Sequence, residues 1–472
     1  MAADSHKLSL QEKIGYSLGD LAANFVFQTQ IMFLSYFYTE VFGITAAAMG
    51  TLLLITRLWH AVIDPMMGAI SDRTNTRWGK FRPWILWTAI PFGVLFVLTY
   101  TTPDLDPKGK VVWAYTTYIL LMLVYTINNI PYSAMTGVLT GDSIERTSLA
   151  QWRFVAAMTA ALLVQTFTPV LVERFGGENQ QLGYQLTVGL WAAIAVLAFF
   201  ICFITTKERV QPDPNQSSSV TQDLVDLVKN GPWVALFILT LFIFVNLAMR
   251  GSATMYYFTY VVQGSEFIEW VNSLQGFYEM KPSHMVSWFN FLGIGTTMVG
   301  VLLSKPLAMR FGKRNTFIVC LFLSACFILA FVLIPRNSFG TILICQMLYN
   351  LSYGPTIPLL WAMMADVADF GEWTNGRRAT GMVFATMMFG LNTGLALGGA
   401  LTGWFLAWYG YVEQASGQTE RATQGILWLM SVYPAAAFFI GVVALLFYKI
   451  SKRMEHEISA ELTTRRATFQ TT

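Results

Sequence analysis

Residues 51–84 read TLLLITRLWHAVIDPMMGAISDRTNTRWGKFRPW, and this stretch decides the fold class. Its first part is apolar but carries Arg57, His60 and Asp64, and its second part, from Asp72 to Trp84, is rich in basic and aromatic residues. An ionisable side chain at the centre of a membrane helix costs about 2.5 kcal/mol or more, so such residues usually face a polar cavity. The stretch therefore predicts a membrane helix that lines a polar interior, followed by a loop at the membrane surface.

The composition indicates a chain that lies mostly in a membrane. Of the 472 residues, 55% are hydrophobic and 12% are charged, whereas about 25% charged residues is typical of soluble domains. The apolar residues fall in blocks close to the ~20 residues that span a hydrocarbon core. We expect these blocks to be helices, because they lack the alternation of barrel strands and because lipid offers no partners to backbone groups.

Hydropathy predicts twelve membrane-spanning helices. The approximate spans are 14–42, 45–71, 83–102, 112–140, 148–173, 183–206, 233–262, 285–306, 315–335, 338–365, 378–409 and 423–449. Basic residues follow the second, sixth, eighth and twelfth spans, as at Arg73, Lys207, Arg310 and Lys449. Because basic loops stay in the cytoplasm, both termini are predicted to be cytoplasmic.

No pattern in the sequence indicates an enzyme, a cofactor or a metal site. The four cysteines, Cys202, Cys320, Cys326 and Cys345, lie inside predicted spans without a CxxC pair and are interpreted as packing residues. No Ser/His/Asp or phosphate-loop pattern occurs. We expect a bilayer and a small molecule as partners, with no nucleic acid and no obligatory protein partner.

A short motif occurs at corresponding places in two halves of the chain. Arg77 to Arg82 follows the second span, and Met309 to Arg314 repeats its basic, aromatic, glycine and basic core six spans later. This indicates a duplicated six-helix unit, as in many secondary transporters, although two unrelated basic loops are the alternative. The predicted parts are a first half at 1–206, a cytoplasmic linker at 207–232, a second half at 233–450 with an extracytoplasmic insertion at 264–283, and a cytoplasmic tail at 451–472.

Four segments give the chain a resemblance to a known family. They are Arg57-Leu58-Trp59, Asp64 to Gly68, Arg77 to Trp84, and Ala365 to Trp373 with Gly376-Arg377-Arg378 after it. Here the chain resembles the glycoside-pentoside-hexuronide:cation symporters of the major facilitator superfamily. The resemblance implies an all-α protein of a bacterial inner membrane, with the major facilitator fold and twelve transmembrane helices in two six-helix halves. It also implies alternating access, a sugar bound between the halves and a cation site between spans 2 and 4.

The resemblance places the coupling site at Asp64, His60 and Thr126. Family members carry two carboxylates one turn apart in span 2; Asp64 is the second, and His60 stands in place of the first. Imidazole suits Na⁺ poorly, whereas a His/Asp pair can exchange protons near neutral pH. We predict H⁺ coupling through Asp64 with His60 as a modulator, and Na⁺ coupling or an uncoupled carrier as alternatives. Another alternative is a neutral His60 in a packing hydrogen bond, with Asp64 paired to Arg57 or Arg153.

The predicted sugar-binding residues combine hydrogen-bonding and aromatic side chains. They are Asn24, Tyr125, Asn129, Arg153 and Asn392, which match family sugar positions, and Arg250, which lies at membrane depth. For each Asn the alternative is an interhelical hydrogen bond, worth about 0.6–2 kcal/mol.

Charge gives a hint about the substrate. Family carboxylates are replaced by Asn24 and Asn129, while Arg57, Arg153 and Arg250 remain. Because guanidinium binds carboxylate well, a uronide or oligouronide is the leading prediction, and a neutral glycoside or pentoside is the alternative. The replacement of a family lysine by Asn392 argues against an anionic sugar.

Charged residues at the cytoplasmic ends predict a gate that breaks when the carrier switches conformation. Its members are Arg77, Lys80, Arg82, Asp366, Asp369, Glu372 and Arg377. The alternative is a solvated loop whose ion pairs contribute little.

Two other classes of protein remain as alternatives. A lysolipid carrier would need an apolar cavity, which polar residues such as Asn24 and Asn392 argue against. A sugar sensor without transport activity would normally carry a cytoplasmic output domain, and the predicted tail is too short for one.

Overall fold

The structure is a computed structural model that describes residues 8–140, 143–209, 227, 229–262, 281–375, 380–415, 417–455, 457–458 and 461. Most of the predicted linker and insertion, Arg377 and the end of the predicted tail lie outside these residues. The described chain forms helices and loops, without a β-strand. The α-helices are α1 (Leu10–Thr29), α2 (Ala46–Arg73), α3 (Arg82–Thr99), α4 (Pro107–Leu139), α5 (Ser143–Gly176), α6 (Gln180–Thr205), α7 (Gly231–Tyr256), α8 (Pro282–Phe311), α9 (Lys313–Ala330), α10 (Phe339–Tyr353), α11 (Thr356–Asn375), α12 (Thr380–Trp408), α13 (Glu420–Met430) and α14 (Val432–Leu446). Short π-helical segments follow α1 at Gln30–Leu34 and Phe37–Phe42, and follow α7 at Tyr257–Val261.

Nine helical segments of the described chain are long and apolar enough to cross a membrane. They are Arg82–Thr99, Pro107–Thr136, Ser148–Gly176, Gln180–Thr205, Gly231–Val261, Pro282–Phe311, Lys313–Leu333, Met382–Trp408 and Glu420–Leu446. The expectation of an all-helical membrane protein is confirmed. The count of twelve spans and the cytoplasmic placement of both termini stay predictions.

Polar side chains decide where several helices begin. The hydroxyl of Ser9 accepts a hydrogen bond from the backbone N–H of Glu12 at 3.2 Å, which caps α1. Asp106 caps α4 in the same way, and Pro107 occupies the first helical position. A proline there loses nothing, because the first N–H groups of a helix have no partner within it.

The first of two compact units contains residues 1–216, 281–290 and 406–418. Within it, α1 packs against α5 and α6, and α3 packs against α4 and α6. Close packing of α1 on α4 requires a glycine at position 19, because a Cβ atom there would lie 2.3 Å from Cε2 of Tyr132. The ring of Tyr132 can thereby stack on Tyr16, with 4.7 Å between the ring centroids.

The second unit contains residues 217–280, 291–405 and 419–472. In this unit α7 packs against α13 and α14, while α9 packs against α10 and α14. Leu236, Leu239 and Ile243 repeat at helical spacing along α7 and are buried against Phe317 of α9 and Phe438 of α14. Apolar packing of this kind holds the unit together.

The two basic loops with the repeated motif have the same construction. Each contains a glycine with positive φ, Gly79 at 113° and Gly312 at 82°, a conformation that side chains with a Cβ rarely adopt. Each also supplies an arginine to the end of another helix: Arg82 donates to the Phe203 carbonyl near the end of α6 at 2.6 Å, and Arg314 donates to the Leu446 carbonyl at the end of α14 at 2.9 Å. Both loops thus share these two features, and the duplication of a six-helix unit stays a prediction.

Glu208 anchors the first of these loops. Its carboxylate accepts hydrogen bonds from the backbone N–H groups of Lys80, Phe81 and Arg82 at 2.8, 2.8 and 2.9 Å. Three N–H groups at the start of α3 are thus paired with one negative charge, as the positive end of a helix favours.

Removal of the Glu208 carboxylate is expected to destabilise the protein. We expect Glu208→Ala to lower the free energy of unfolding by about 1–3 kcal/mol, because three N–H donors lose a charged acceptor. Thermal unfolding in detergent measures the effect, and Lys207→Ala is the control because Lys207 is an exposed neighbour. Equal unfolding temperatures for the two variants would show that Glu208 does not anchor the loop.

Candidate functional site

Polar side chains occupy one face of α1 and one face of α4. On α1 they recur every four residues, at Asp20, Asn24 and Gln28. On α4 they recur at intervals of four, three and four residues, at Tyr125, Asn129, Tyr132 and Thr136. Residues at these spacings share a helix face. Each helix therefore presents a polar stripe within an apolar sequence.

Arg153 of α5 joins the two polar stripes. Its Nε donates to Oδ2 of Asp20 at 2.6 Å, and its second amino group donates to Oδ1 of Asp20 at 3.3 Å. The first amino group donates to the hydroxyl of Thr136 at 3.2 Å. The Arg153 and Asp20 side chains remain 24% and 15% exposed. Such a two-bond ion pair holds the guanidinium in one orientation.

Two tyrosines support the guanidinium of Arg153. Its central carbon lies 5.7 Å from the ring centre of Tyr16 and 5.0 Å from that of Tyr132, a geometry in which aromatic rings attract cations. Each tyrosine hydroxyl donates to the other residue's carbonyl at 2.8 Å. The reciprocal hydrogen bonds hold both rings, and therefore Arg153, in place.

Asp64 and Thr126, two residues of the predicted coupling site, lie in contact. The Thr126 hydroxyl donates to Oδ1 of Asp64 at 3.1 Å, which links α4 to α2. The side chains of Arg57 and His60 lie outside the described part of the chain. Arg153, a suggested partner of Asp64, pairs with Asp20 instead.

The other predicted sugar-binding residues have varied surroundings. The Asn24 amide donates to the Asp20 carbonyl at 2.9 Å within α1, and Tyr125 stacks on Phe92 with 6.1 Å between ring centroids. Asn129 on α4 and Asn392 on α12 are partly exposed. Hydrogen bonding to a ligand by these residues stays a prediction.

Arg250 belongs to the second unit and is 6% exposed. It donates to Oε1 of Gln346 at 3.0 Å, and its guanidinium carbon lies 4.9 Å from the ring centre of Phe331 and 4.3 Å from that of Tyr349. The role of Arg250 in binding substrate stays a prediction.

Two of the predicted gate residues, Asp366 and Arg82, bind partners within their own units. Lys313 donates to both carboxylate oxygens of Asp366 at 2.8 Å and also pairs with Glu455 at 2.6 Å. Arg82 binds the end of α6, as described above, and Arg77 lies over the ring of Trp78. Lys80 follows Gly79 in the anchored loop, and Asp369 and Glu372 lie on α11. The role of these residues as a gate stays a prediction.

The end of α5 makes contacts that we did not predict from the sequence. Glu173 pairs with Lys281 at 2.7 Å, accepts a hydrogen bond from the Ser283 hydroxyl and lies 3.8 Å from Nε2 of His284. Farther along α8, Asn290 donates to the Gln165 carbonyl at 3.0 Å. These contacts tie the start of α8 to α5 on the side predicted to be extracytoplasmic.

The most informative residue that we missed is Asp20. One signal was present, because Asp20 lies four residues before Asn24 on the same helix face. Gln28, a further turn along, accepts a hydrogen bond from the Gln165 amide at 2.8 Å. A polar stripe at helical spacing in an apolar span was therefore the available clue.

Comparisons with known proteins show which family the chain belongs to. The family described as MFS/sugar transport protein matches residues 15–452. The inner membrane symporter YicJ of Escherichia coli is 37% identical over 448 residues, which cover 95% of this chain and 93% of YicJ. The isoprimeverose transporter of Lactiplantibacillus pentosus is 34% identical, with 96% of this chain and 91% of the relative covered. The glucuronide carrier protein homolog of Escherichia coli is 29% identical, with 99% and 98% covered.

Solved structures show the same fold at low sequence identity. The nucleoside transporter NupG gives a TM-score of 0.59 at 13% identity, with 93% of this chain and all of NupG covered. A bacterial homolog of the human lysosomal transporter Spinster gives 0.64 at 13% identity, with 95% and 97% covered. The protein is a transporter of a bacterial inner membrane rather than an enzyme, as predicted. With a symporter among its relatives and a family match over nearly the whole chain, it belongs to the sugar transport family of the major facilitator superfamily.

Proposed function

We propose that this carrier imports a glycoside together with a proton, and that Asp64 takes up the proton. The hydrogen bond between Thr126 and Asp64 supports the proposal, because it joins α2 to α4 where the family resemblance implies the ion site. The pair offers one carboxylate and one hydroxyl. One carboxylate is enough for a proton, and the replacement of the second family carboxylate by His60 removes an oxygen ligand that a hard cation such as Na⁺ prefers.

The polar stripes support the sugar half of the proposal. Asn24, Asn129 and Arg153 offer directional donors and acceptors to sugar hydroxyls, and Tyr125 offers an aromatic ring nearby on α4. These polar faces favour a sugar over a lysolipid, which would be better served by an apolar surface. The relatives' names include both isoprimeverose and a glucuronide, so the charge of the substrate must be inferred from this chain's own residues.

Uptake into proteoliposomes tests the proposal. We expect labelled methyl glycosides of glucose, galactose or xylose to accumulate when an inward H⁺ gradient is imposed without Na⁺. A protonophore should abolish the accumulation, because it dissipates the gradient. Accumulation that requires Na⁺ and is insensitive to the protonophore would overturn the assignment of the ion and leave sugar transport intact.

A further inference from the structure

The surroundings of Arg153 change the inferred charge of the substrate. The sequence-based prediction of a uronide rested on Asn24 and Asn129, which replace family carboxylates and would leave the Arg153 cation without a carboxylate partner. In the structure, Asp20 supplies that carboxylate. We propose that Asp20 is the built-in counter-ion of Arg153 and restricts the carrier to uncharged glycosides. This inference rests on the proposed function and names the substrate class of the same site.

The hydrogen bonds explain how Asp20 would exclude an anionic sugar. A guanidinium binds carboxylate best through two parallel N–H groups. The edge formed by Nε and one amino group of Arg153 already holds the two oxygens of Asp20, at 2.6 and 3.3 Å. The other amino group already donates to Thr136. The edge that includes Nε is therefore occupied, and one N–H of each amino group remains to donate to a sugar hydroxyl.

Charge acts in the same direction as geometry. Arg153 and Asp20 together carry no net charge, so a uronate beside them would add a negative charge close to Asp20. The repulsion from Asp20 cancels much of the attraction to Arg153, so the pair offers a uronate little net attraction. The neighbouring Asn24 side chain is neutral and adds no positive charge.

The partial exposure of the ion pair argues for a role in binding. Both residues lie on helices with apolar sequences, yet their side chains remain 24% and 15% exposed. Charged groups at membrane depth usually face a polar cavity rather than lipid. The exposed part of the pair is therefore placed to meet a polar ligand.

Transport of matched sugars tests the proposal. The probes are methyl glucoside and methyl glucuronide, and methyl galactoside and methyl galacturonide, whose partners differ only at C6. Exchange and competition are measured in proteoliposomes without an ion gradient. We expect the wild type to prefer a neutral sugar over its uronide by at least tenfold. Asp20→Asn should lower the ratio of neutral-sugar to uronide transport at least tenfold, because it frees Arg153 from its carboxylate partner. Asp20→Glu should retain the wild-type ratio, because the negative charge is kept.

Each outcome either supports or overturns the role of Asp20. A wild type that takes a uronide as well as its neutral counterpart overturns the proposal, and this measurement needs no variant to fold. An unchanged preference in folded Asp20→Asn also overturns the proposal. So does a loss of preference in Asp20→Glu as large as that in Asp20→Asn. A failure of H⁺ coupling would appear only in the gradient experiment and would leave the charge preference as measured.

Discussion

Asp64→Asn is expected to abolish accumulation of sugar against its gradient and to preserve exchange of labelled for unlabelled sugar. Asparagine has nearly the same shape as aspartate, and its carbonyl oxygen can accept the hydrogen bond that Thr126 donates to Asp64. It cannot bind and release a proton. The variant should therefore still bind sugar and exchange it across the membrane, while the gradient no longer drives net uptake.

Proteoliposomes with and without an H⁺ gradient measure both activities. Asp104→Asn is a matched control, because Asp104 is an exposed loop carboxylate, and we expect normal accumulation from it. Accumulation by Asp64→Asn at the wild-type level would place coupling at another residue. Loss of exchange together with accumulation would mean that Asp64 is needed for the fold or for sugar binding.

Arg153→Met is expected to abolish transport and to destabilise the protein. It would leave the carboxylate of Asp20, which is 15% exposed, without its ion-pair partner. Breaking a buried ion pair costs about 3–5 kcal/mol, and partial exposure to solvent reduces this to about 2–3 kcal/mol here. The Arg153→Met/Asp20→Asn double variant should recover most of the stability, because no unpaired charge remains, but not the transport.

Thermal unfolding in detergent and sugar exchange in proteoliposomes measure these effects separately. The control is Arg453→Met, which removes an ion pair to Glu457 at 2.8 Å whose side chains are 90% and 59% exposed. Such exposed pairs contribute little to stability, so we expect no clear change in unfolding temperature. If the double variant were less stable than either single variant, Asp20 and Arg153 would contribute independently rather than as a pair.

Where the information was local, the sequence grouped residues that lie in contact in the structure. Asp64 and Thr126 were both assigned to the coupling site, and they form a hydrogen bond between α2 and α4, while their role in coupling stays a prediction. The two basic loops were matched through their glycines and basic residues, and each has a positive-φ glycine and an arginine bound to a helix end. A glycine that adopts positive φ and an arginine that donates several hydrogen bonds can be recognised from residue type and spacing alone.

The sequence predicted less well where a partner comes from a distant part of the chain. Asp20 and Arg153 are separated by 133 positions. On α1 the family resemblance pointed to Asn24 and not to Asp20. The backbone N–H groups of Lys80 and Arg82 bind Glu208, in contacts across 128 and 126 positions that the sequence did not indicate, and the gating role of the two side chains stays a prediction. Which carboxylate serves which cation depends on the packing of helices, and composition does not report it.

The sequence by itself determined that the protein is a helical membrane protein, because long apolar runs can satisfy their backbone groups only as helices in lipid, and its resemblance to a symporter family implied a transporter. It also determined which polar residues share a helix face, because that follows from the helical repeat. Only the tertiary structure decided how the charges of the first unit are paired. Gly19 lets α1 approach α4 and supports the Tyr16–Tyr132 stack, and the packing of α5 against α1 brings Arg153 to Asp20. Ion pairing depends on distances of a few ångströms between side chains that lie far apart in sequence, and those distances are set by helix packing.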